Sequence, residues 1–243
     1  MLSAAEIEAL NREAQDAEPR DILAEAIKRL PNLAIAFSGA EDVILVAMAT
    51  RIRPDIPVFT LDTGRLHPET YRYIDDIRER YQLNLEVLSP ERAPLEKLVK
   101  EKGLYSFYRD GHEECCEIRK IGPLRRKLKT LDGWITGQRR DQSPTRARVP
   151  VYQLDASYSG QGGSLVKINP LANWSLKQVW ETIRLLEIPY NPLHDRGFVS
   201  IGCEPCTRAV GPGQHEREGR WWWEEATIKE CGLHSDNPHS DKP

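Results

Sequence analysis

Apolar residues along this chain recur in two alternating patterns. Short unbroken runs, LAIAF (33–37), IPVFTLD (56–62) and LNLEVL (83–88), read as strands, the first two buried on both faces. GWITG (133–137) and LVKIN (165–169) read as later strands. Between the strands the apolar positions return at helical spacing. Residues 3–30 predict one or two helices broken near Pro19, VILVAMA a helix after the first strand, and His67–Tyr81 a helix opened by Pro68. Pro94–Lys102 predicts a further helix, and Ser175–Glu187 a capped one. Strands alternating with helices imply an α/β fold: a doubly wound, mainly parallel sheet with helices on both faces. From about Pro189 Gly and Pro become frequent and no long periodic stretch remains. Residues 1–206 therefore read as one α/β domain, and 207–243 as a C-terminal tail folded over the sheet.

Composition changes this picture little. The 243 residues are 40% hydrophobic and 29% charged, the balance of a soluble globular protein, which excludes collagen-like and fully disordered classes. No apolar run approaches a membrane span. The start, MLSAAEIEALNREAQD, carries acids early and lacks an apolar stretch, so no signal peptide is expected and the cytoplasm is the expected compartment. Net charge is −3, yet residues 119–148 hold ten basic and two acidic side chains. Such a concentration predicts an anionic ligand, against the alternative of a solvated basic helix face.

Three loops at strand ends carry candidate chemistry. Ser38-Gly39-Ala40-Glu41-Asp42 is a turn between strand and helix, where backbone N–H groups and the helix dipole favour an anion. It is similar to the phosphate loop of adenylyl pyrophosphatases, SGGKDS, but Glu41 stands in place of the Lys and Val43 in place of the last Ser. That change favours a ligand with fewer phosphates than ATP. Leu61-Asp62-Thr63-Gly64-Arg65 ends the second strand, where open α/β sheets bind ligands; it suits adenine and ribose, or is a simple capped turn. Gly137-Gln138-Arg139-Arg140-Asp141-Gln142-Ser143-Pro144-Thr145-Arg146 follows the fourth strand, and its Arg forks match phosphate or sulfate.

The chain has five cysteines, an odd number that argues against a disulfide framework. Cys115-Cys116 and Cys203-Glu-Pro-Cys206 make two close pairs able to hold tetrahedral zinc or an iron–sulfur cluster. Adjacent cysteines suit different irons of a cubane better than one small zinc ion. Buried structural thiols or a thioredoxin-like pair are the metal-free alternative. Arg119 and Lys120 follow within one helical turn and would offset thiolate charge. Cys231, in KECGLH, is a lone thiol on a polar tail and a candidate nucleophile.

Together SGAEDV, LDTGRLHPETY, CCEIRKIGPL, GQRRDQSPTRA, NPLHDRGFVSIGCEPCTRAV, HEREGRWWWE and KECGLH resemble the assimilatory adenylyl-sulfate reductases, thioredoxin-dependent members of the PAPS/APS reductase family, over residues 33 to 234. Reductases of the 3'-phosphorylated substrate share most of these motifs but lack the four paired cysteines, so the resemblance favours adenosine 5'-phosphosulfate. It implies an adenine nucleotide alpha hydrolase-like fold and one [4Fe–4S] cluster per chain on Cys115, Cys116, Cys203 and Cys206, with Lys120 beside it. It also implies that Cys231 attacks the sulfate sulfur, expelling AMP and leaving a Cys-S-sulfonate. Reduced thioredoxin, with glutaredoxin as the alternative, would then release sulfite for cysteine biosynthesis. Ser38, Gly39 and Leu61–Arg65, including Asp62, would hold the nucleotide; Arg139, Arg146, Arg217 and Arg220 the phosphate and sulfate; His234 would flank the reacting group. Trp221–Trp223 would pack the tail. No nucleic acid or membrane partner is implied, and a homo-oligomer is left open.

Three other functions compete. One is reduction of the 3'-phosphorylated substrate. Another is a pyrophosphatase-type thiolation enzyme, which needs the Lys and Ser that the first loop lacks. The last is a zinc-bearing nucleic-acid binder, which expects aromatics interleaved in the basic stretch, where only Trp134 stands.

Overall fold

The computed structural model describes residues 2–158 and 164–224. Two helices lead the chain. α1 (Ala4–Glu13) starts at Ser3, whose hydroxyl accepts from the Glu6 N–H while the Glu6 carboxylate reaches back to the Ser3 N–H. α2 (Pro19–Arg29) begins at Pro19, the expected break. Then β1 (Leu33–Ala36), α3 (Ala40–Ala49), β2 (Val58–Leu61), α4 (Pro68–Arg80), β3 (Leu85–Leu88) and α5 (Arg92–Lys102) alternate as the apolar pattern predicts.

The next segment carries elements that the apolar pattern does not predict. Residues 107–128 form the single turns α6 (Phe107–Asp110) and α7 (Glu113–Cys116), a π-helical turn (Glu117–Ile121) and α8 (Gly122–Leu128). β4 (Gly133–Ile135), β5 (Tyr152–Leu154), β6 (Val166–Ile168) and α9 (Leu176–Leu185), capped by Ser175, complete the regular elements.

The six strands lie in the order β3-β2-β1-β4-β6-β5. All neighbours are parallel except β5, which returns antiparallel to β6 at the edge. Side chains alternate across the sheet as the strand repeat requires. Leu33 and Ile35 point into the larger core with α1, α2, α3, α4 and α9; Ala34, Phe59 and Trp134 point to the other face, covered by Leu124 and Leu128 of α8. The doubly wound α/β fold is thus as expected. Among the described residues no helix is long and apolar enough to cross a membrane.

Strand order reverses between β1 and β4, and in open sheets that reversal opens a crevice at the carboxyl ends. Beyond the sheet, the loop 207–220 is closed at its neck by main-chain atoms. Arg208 N–H donates to Gly219 O at 3.0 Å, and Trp221 N–H donates to Cys206 O at 3.1 Å.

Candidate functional site

At the crevice the ends of β1 and β4 meet on one carboxylate. Asp42 Oδ2 accepts from Ser38 N–H (2.8 Å), Ser38 Oγ (2.9 Å) and Gly39 N–H (2.9 Å), while Oδ1 accepts from Gly137 N–H (2.9 Å). Burial, with Glu41 alongside, pushes its pKa up to about 6 against the pull of these donors. The turn after β1 was expected to hold its N–H groups open to an anion. Those of Ser38 and Gly39 are instead engaged by Asp42. Gly137 must be glycine here: a Cβ would lie 2.6 Å from Glu41 Cβ and 2.7 Å from Asp42 Oδ1.

A cavity of about 230 Å³ opens from this point. It brings together Ser38, Gly39, Leu61, Lys120, Arg146, Arg217 and Arg220 of the residues expected from sequence. Its lining of cations opposite a strand-end crevice suits a nucleotide with an acidic end. Glu216 faces the same space, its pKa raised to about 7 by burial and by Glu41, despite Arg139 beside it.

Three expected ligands are placed elsewhere. Arg139 is fully buried and lies outside the cavity lining; its guanidinium meets Glu41 at 3.0 Å, Glu216 at 3.1 Å and Asp141 at 3.3 Å. It therefore braces the wall and presents no fork to an anion. Asp62 accepts from Gly64 N–H at 2.8 Å and from Tyr71 OH at 2.7 Å, the ordinary work of a turn residue. Arg65 donates to the Leu104 carbonyl and lies over the Tyr105 and Phe107 rings, at 5.4 and 5.1 Å from their centroids.

A second, smaller cavity is lined by Cys115, Cys116, Cys203 and Cys206 together with Arg65, Phe107, His112, Arg119 and Lys120. None of these cysteines is in a disulfide. The two pairs, far apart in sequence, converge because the chain at 203 runs beside the loop after β2. Leu66 pairs with Cys203, and Glu204 N–H donates to Arg65 O at 2.8 Å. The wider π turn buries both Arg119 and Lys120 on this side. Arg119 Nη1 donates to Thr63 O at 2.6 Å, and the Thr63 hydroxyl lies 3.2 Å from Cys203 Sγ.

Electrostatics distinguish the thiols. Burial alone would raise Cys203, yet Lys120, the Thr63 hydroxyl, Arg220 and Arg119 together bring its pKa below the ordinary thiol range. Cys206 is pushed up to about 12 by burial and then by Cys203; burial also raises Cys115. Among the described residues no three His, Cys, Asp or Glu side chains are grouped tightly enough to hold a single metal ion. Trp221 is fully buried against Cys116, Cys203 and Cys206, and its indole N–H has no hydrogen-bond partner among the described residues.

Lys120 and Cys203 line both cavities, so the two spaces share a wall. The tail enters beside them. His112 stacks on Trp221 (centroids 4.2 Å apart) and its Nδ1 lies 2.7 Å from Glu224 Oε2. Trp221 packs as expected, whereas Trp222 is 44% exposed. Cys231 and His234 lie outside the described residues. Sequence reading did not single out His112 or Glu216; a lone His or Glu among charged neighbours carries no spacing signal.

The comparisons with known proteins agree with one another. Residues 32–209 match the family model described as phosphoadenosine phosphosulfate reductase domain. The adenosine 5'-phosphosulfate reductase of Pseudomonas aeruginosa (strain UCBPP-PA14) is 59% identical over 234 residues, covering 96% of this chain and 88% of the relative. The chloroplastic 5'-adenylylsulfate reductase 3 of Arabidopsis thaliana is 54% identical; this chain spans about half of it, 52% of its length. Among solved structures, the phosphoadenylyl-sulfate reductase of Candida auris in a phosphate complex superposes with a TM-score of 0.72 and 27% identity, over 86% of this chain and 98% of that one. Candida glabrata FMN adenylyltransferase in complex with ATP, at 14% identity and a TM-score of 0.55 over 95% of this chain and 78% of its own, shares the fold alone.

Proposed function

The chain belongs to the phosphoadenosine phosphosulfate reductase family, and from that premise we propose that it reduces adenosine 5'-phosphosulfate to sulfite and AMP in assimilatory sulfate reduction, with the cytoplasm as its compartment. The observation that carries this reading is the shared wall: a cationic cavity at the strand-order reversal, joined through Lys120 and Cys203 to a cavity of four thiols. The 59% identical adenosine 5'-phosphosulfate reductase of Pseudomonas aeruginosa supports the substrate without a 3'-phosphate.

In this reading Ser38, Gly39 and Leu61 border the nucleotide, and Arg146, Arg217, Arg220 and Lys120 offset the phosphate and sulfate charge. The Cys231 thiolate attacks the sulfate sulfur. A sulfur–sulfur bond forms, the bond from sulfur to the phosphate oxygen breaks, and AMP leaves with its electron pair. A thiolate of reduced thioredoxin then attacks Cys231 Sγ, and sulfite departs with the electrons of the sulfur–sulfur bond. The second thioredoxin thiol displaces Cys231 from the mixed disulfide, leaving thioredoxin oxidised.

A [4Fe–4S] cluster would be held by Cys115, Cys116, Cys203 and Cys206, the four thiols of the smaller cavity. The four cysteines are an all-thiol donor set, and Arg65, Arg119 and Lys120 line the same cavity. When bound, the cluster would supply a fixed negative charge beside Lys120, while the two electrons come from thioredoxin by way of Cys231.

Incubation of wild type with substrate but no thioredoxin should add one sulfonate, about 80 Da by its atomic masses, to the peptide containing Cys231. Reduced thioredoxin should remove it and release sulfite. Cys231→Ser should retain cluster colour and nucleotide binding yet release no sulfite, because a hydroxyl is protonated and weakly nucleophilic at neutral pH. Sulfonate on another cysteine, or on none during turnover, rejects the mechanism. Comparable kcat/KM for the 3'-phosphorylated substrate rejects the substrate assignment.

A further inference from the structure

Gln138 has no role in the chemistry above, although it follows Gly137 at the carboxyl end of β4 and lines the larger cavity. It is 3% exposed, and both amide atoms, Nε2 and Oε1, are sealed from solvent without a partner among the described residues. The polar groups beneath it are spent on one another: the Thr136 hydroxyl donates to Asn169 Oδ1 at 2.6 Å, and Asn169 Nδ2 donates to Pro150 O at 2.9 Å. Gln142, on the same loop, shows the contrast. Its Nε2 donates to Glu41 Oε1 at 3.0 Å, and its Oε1 accepts from Arg139 N–H at 3.2 Å. One glutamine is committed to the wall; the other has neither its donor nor its acceptor met.

A buried amide with neither atom bonded destabilises the free protein, so its presence calls for a reason. Its place is the crevice where strand order reverses, the position at which sheets of this kind take their ligands. Its chemistry narrows what completes it. Phosphate and sulfate oxygens only accept; they would meet Nε2 and leave Oε1 bare, and the cavity already offers them Lys120, Arg146, Arg217 and Arg220. A group that both donates and accepts meets the whole amide. Adenine's amino edge and a ribose hydroxyl are such groups.

We propose that Gln138 recognises the nucleoside half of the ligand, turning its amide into the cavity to pair, donor and acceptor together, with adenine's amino edge or a ribose hydroxyl. This rests on the adenylyl ligand proposed above. The test is calorimetric binding of AMP to the full chain, purified without oxygen, as wild type, Gln138→Leu and Gln138→Met. The same proteins are titrated with 2'-deoxy-AMP, 3'-deoxy-AMP and purine riboside 5'-monophosphate, which lacks the amino group. Either substitution should weaken AMP about 10- to 100-fold, as loss of a paired amide implies. One analogue should show that loss already in wild type and no further loss in the variants, which identifies base or sugar as the partner. Both variants should melt at or above wild type, since the unmet amide is gone. Unchanged AMP affinity in the variants, or losses that add for all three analogues, would overturn the assignment. Variants melting well below wild type would overturn it too, because the amide would then belong to the fold. Wild type that binds no AMP at all would remove the adenylyl reading itself, a result distinct from the others.

Discussion

Asp42 gathers four hydrogen bonds from three residues, so the loops after β1 and β4 meet on a single side chain. In Asp42→Asn, whichever way the amide turns, it presents an N–H₂ to at least one buried donor. The expected loss is about 1–3 kcal/mol, the penalty of an unmet buried group, read as a lower urea midpoint. The sign of the pH dependence also follows. Asp42 is raised from 3.8 to about 6, and Glu216 from 4.5 to about 7, each chiefly by burial. A folded pKa above the unfolded one means stability is fully present below the unfolded value and lost as pH rises through the folded one. Urea unfolding at stepped pH should therefore show wild type losing this contribution between about pH 4 and 7. Glu216→Gln should lack its share of that slope; an identical pH profile would contradict it. Arg139 carries a different lesson at this scale. Its fork was legible in the sequence, but its three carboxylate partners come from Glu41, Asp141 and Glu216, two of them distant in the chain, and that commitment was not.

At the scale of elements, the apolar runs located β1, β2, β4 and β6, and helical spacing located α1 to α4 and α9, because each buries a continuous face. The stretch 107–128 was missed since its turns are too short to show a period, and its buried Arg119 and Lys120 look polar in sequence. β5 escaped notice because, at the sheet edge, only Tyr152 of its three residues is buried, so it shows no apolar run. The root of the tail invites a test at this scale. His112 stacks on Trp221 and pairs with Glu224 at 2.7 Å, tying the descending tail to α7. His112→Phe keeps the stack but leaves the Glu224 carboxylate unpaired. Hydrogen exchange at residues 221–224 should accelerate while the exchange of β1 and β4 stays as in wild type. Unaltered protection at the root would show that stacking alone holds it.

Across the whole molecule net charge is −3, yet Lys120, Arg146, Arg217 and Arg220 converge on one cavity, where they outnumber Glu41, Asp42 and Glu216. Attraction of a doubly charged ligand into such a space should weaken with ionic strength, since exposed charges are screened over about 8 Å at physiological salt. AMP affinity should fall as salt rises from low to high, whereas adenosine, lacking the phosphate, should bind without that dependence. Parallel salt profiles for the two ligands would reject an electrostatic role for these residues.

The neck of the loop 207–220 has a consequence for how such a protein can change. Its closure uses the main-chain atoms of Cys206, Arg208, Gly219 and Trp221, and main-chain pairing is indifferent to the side chains strung between. The intervening residues carry Glu216 and Arg217 to the cavity, while the sheet and the thiol centre stand on other segments. That span is thus a cassette with one fixed point, Glu216, whose carboxylate meets buried Arg139. Descendants of this chain can trade the residues around Glu216 for another set, inheriting a new ligand preference while the sheet stays as it is.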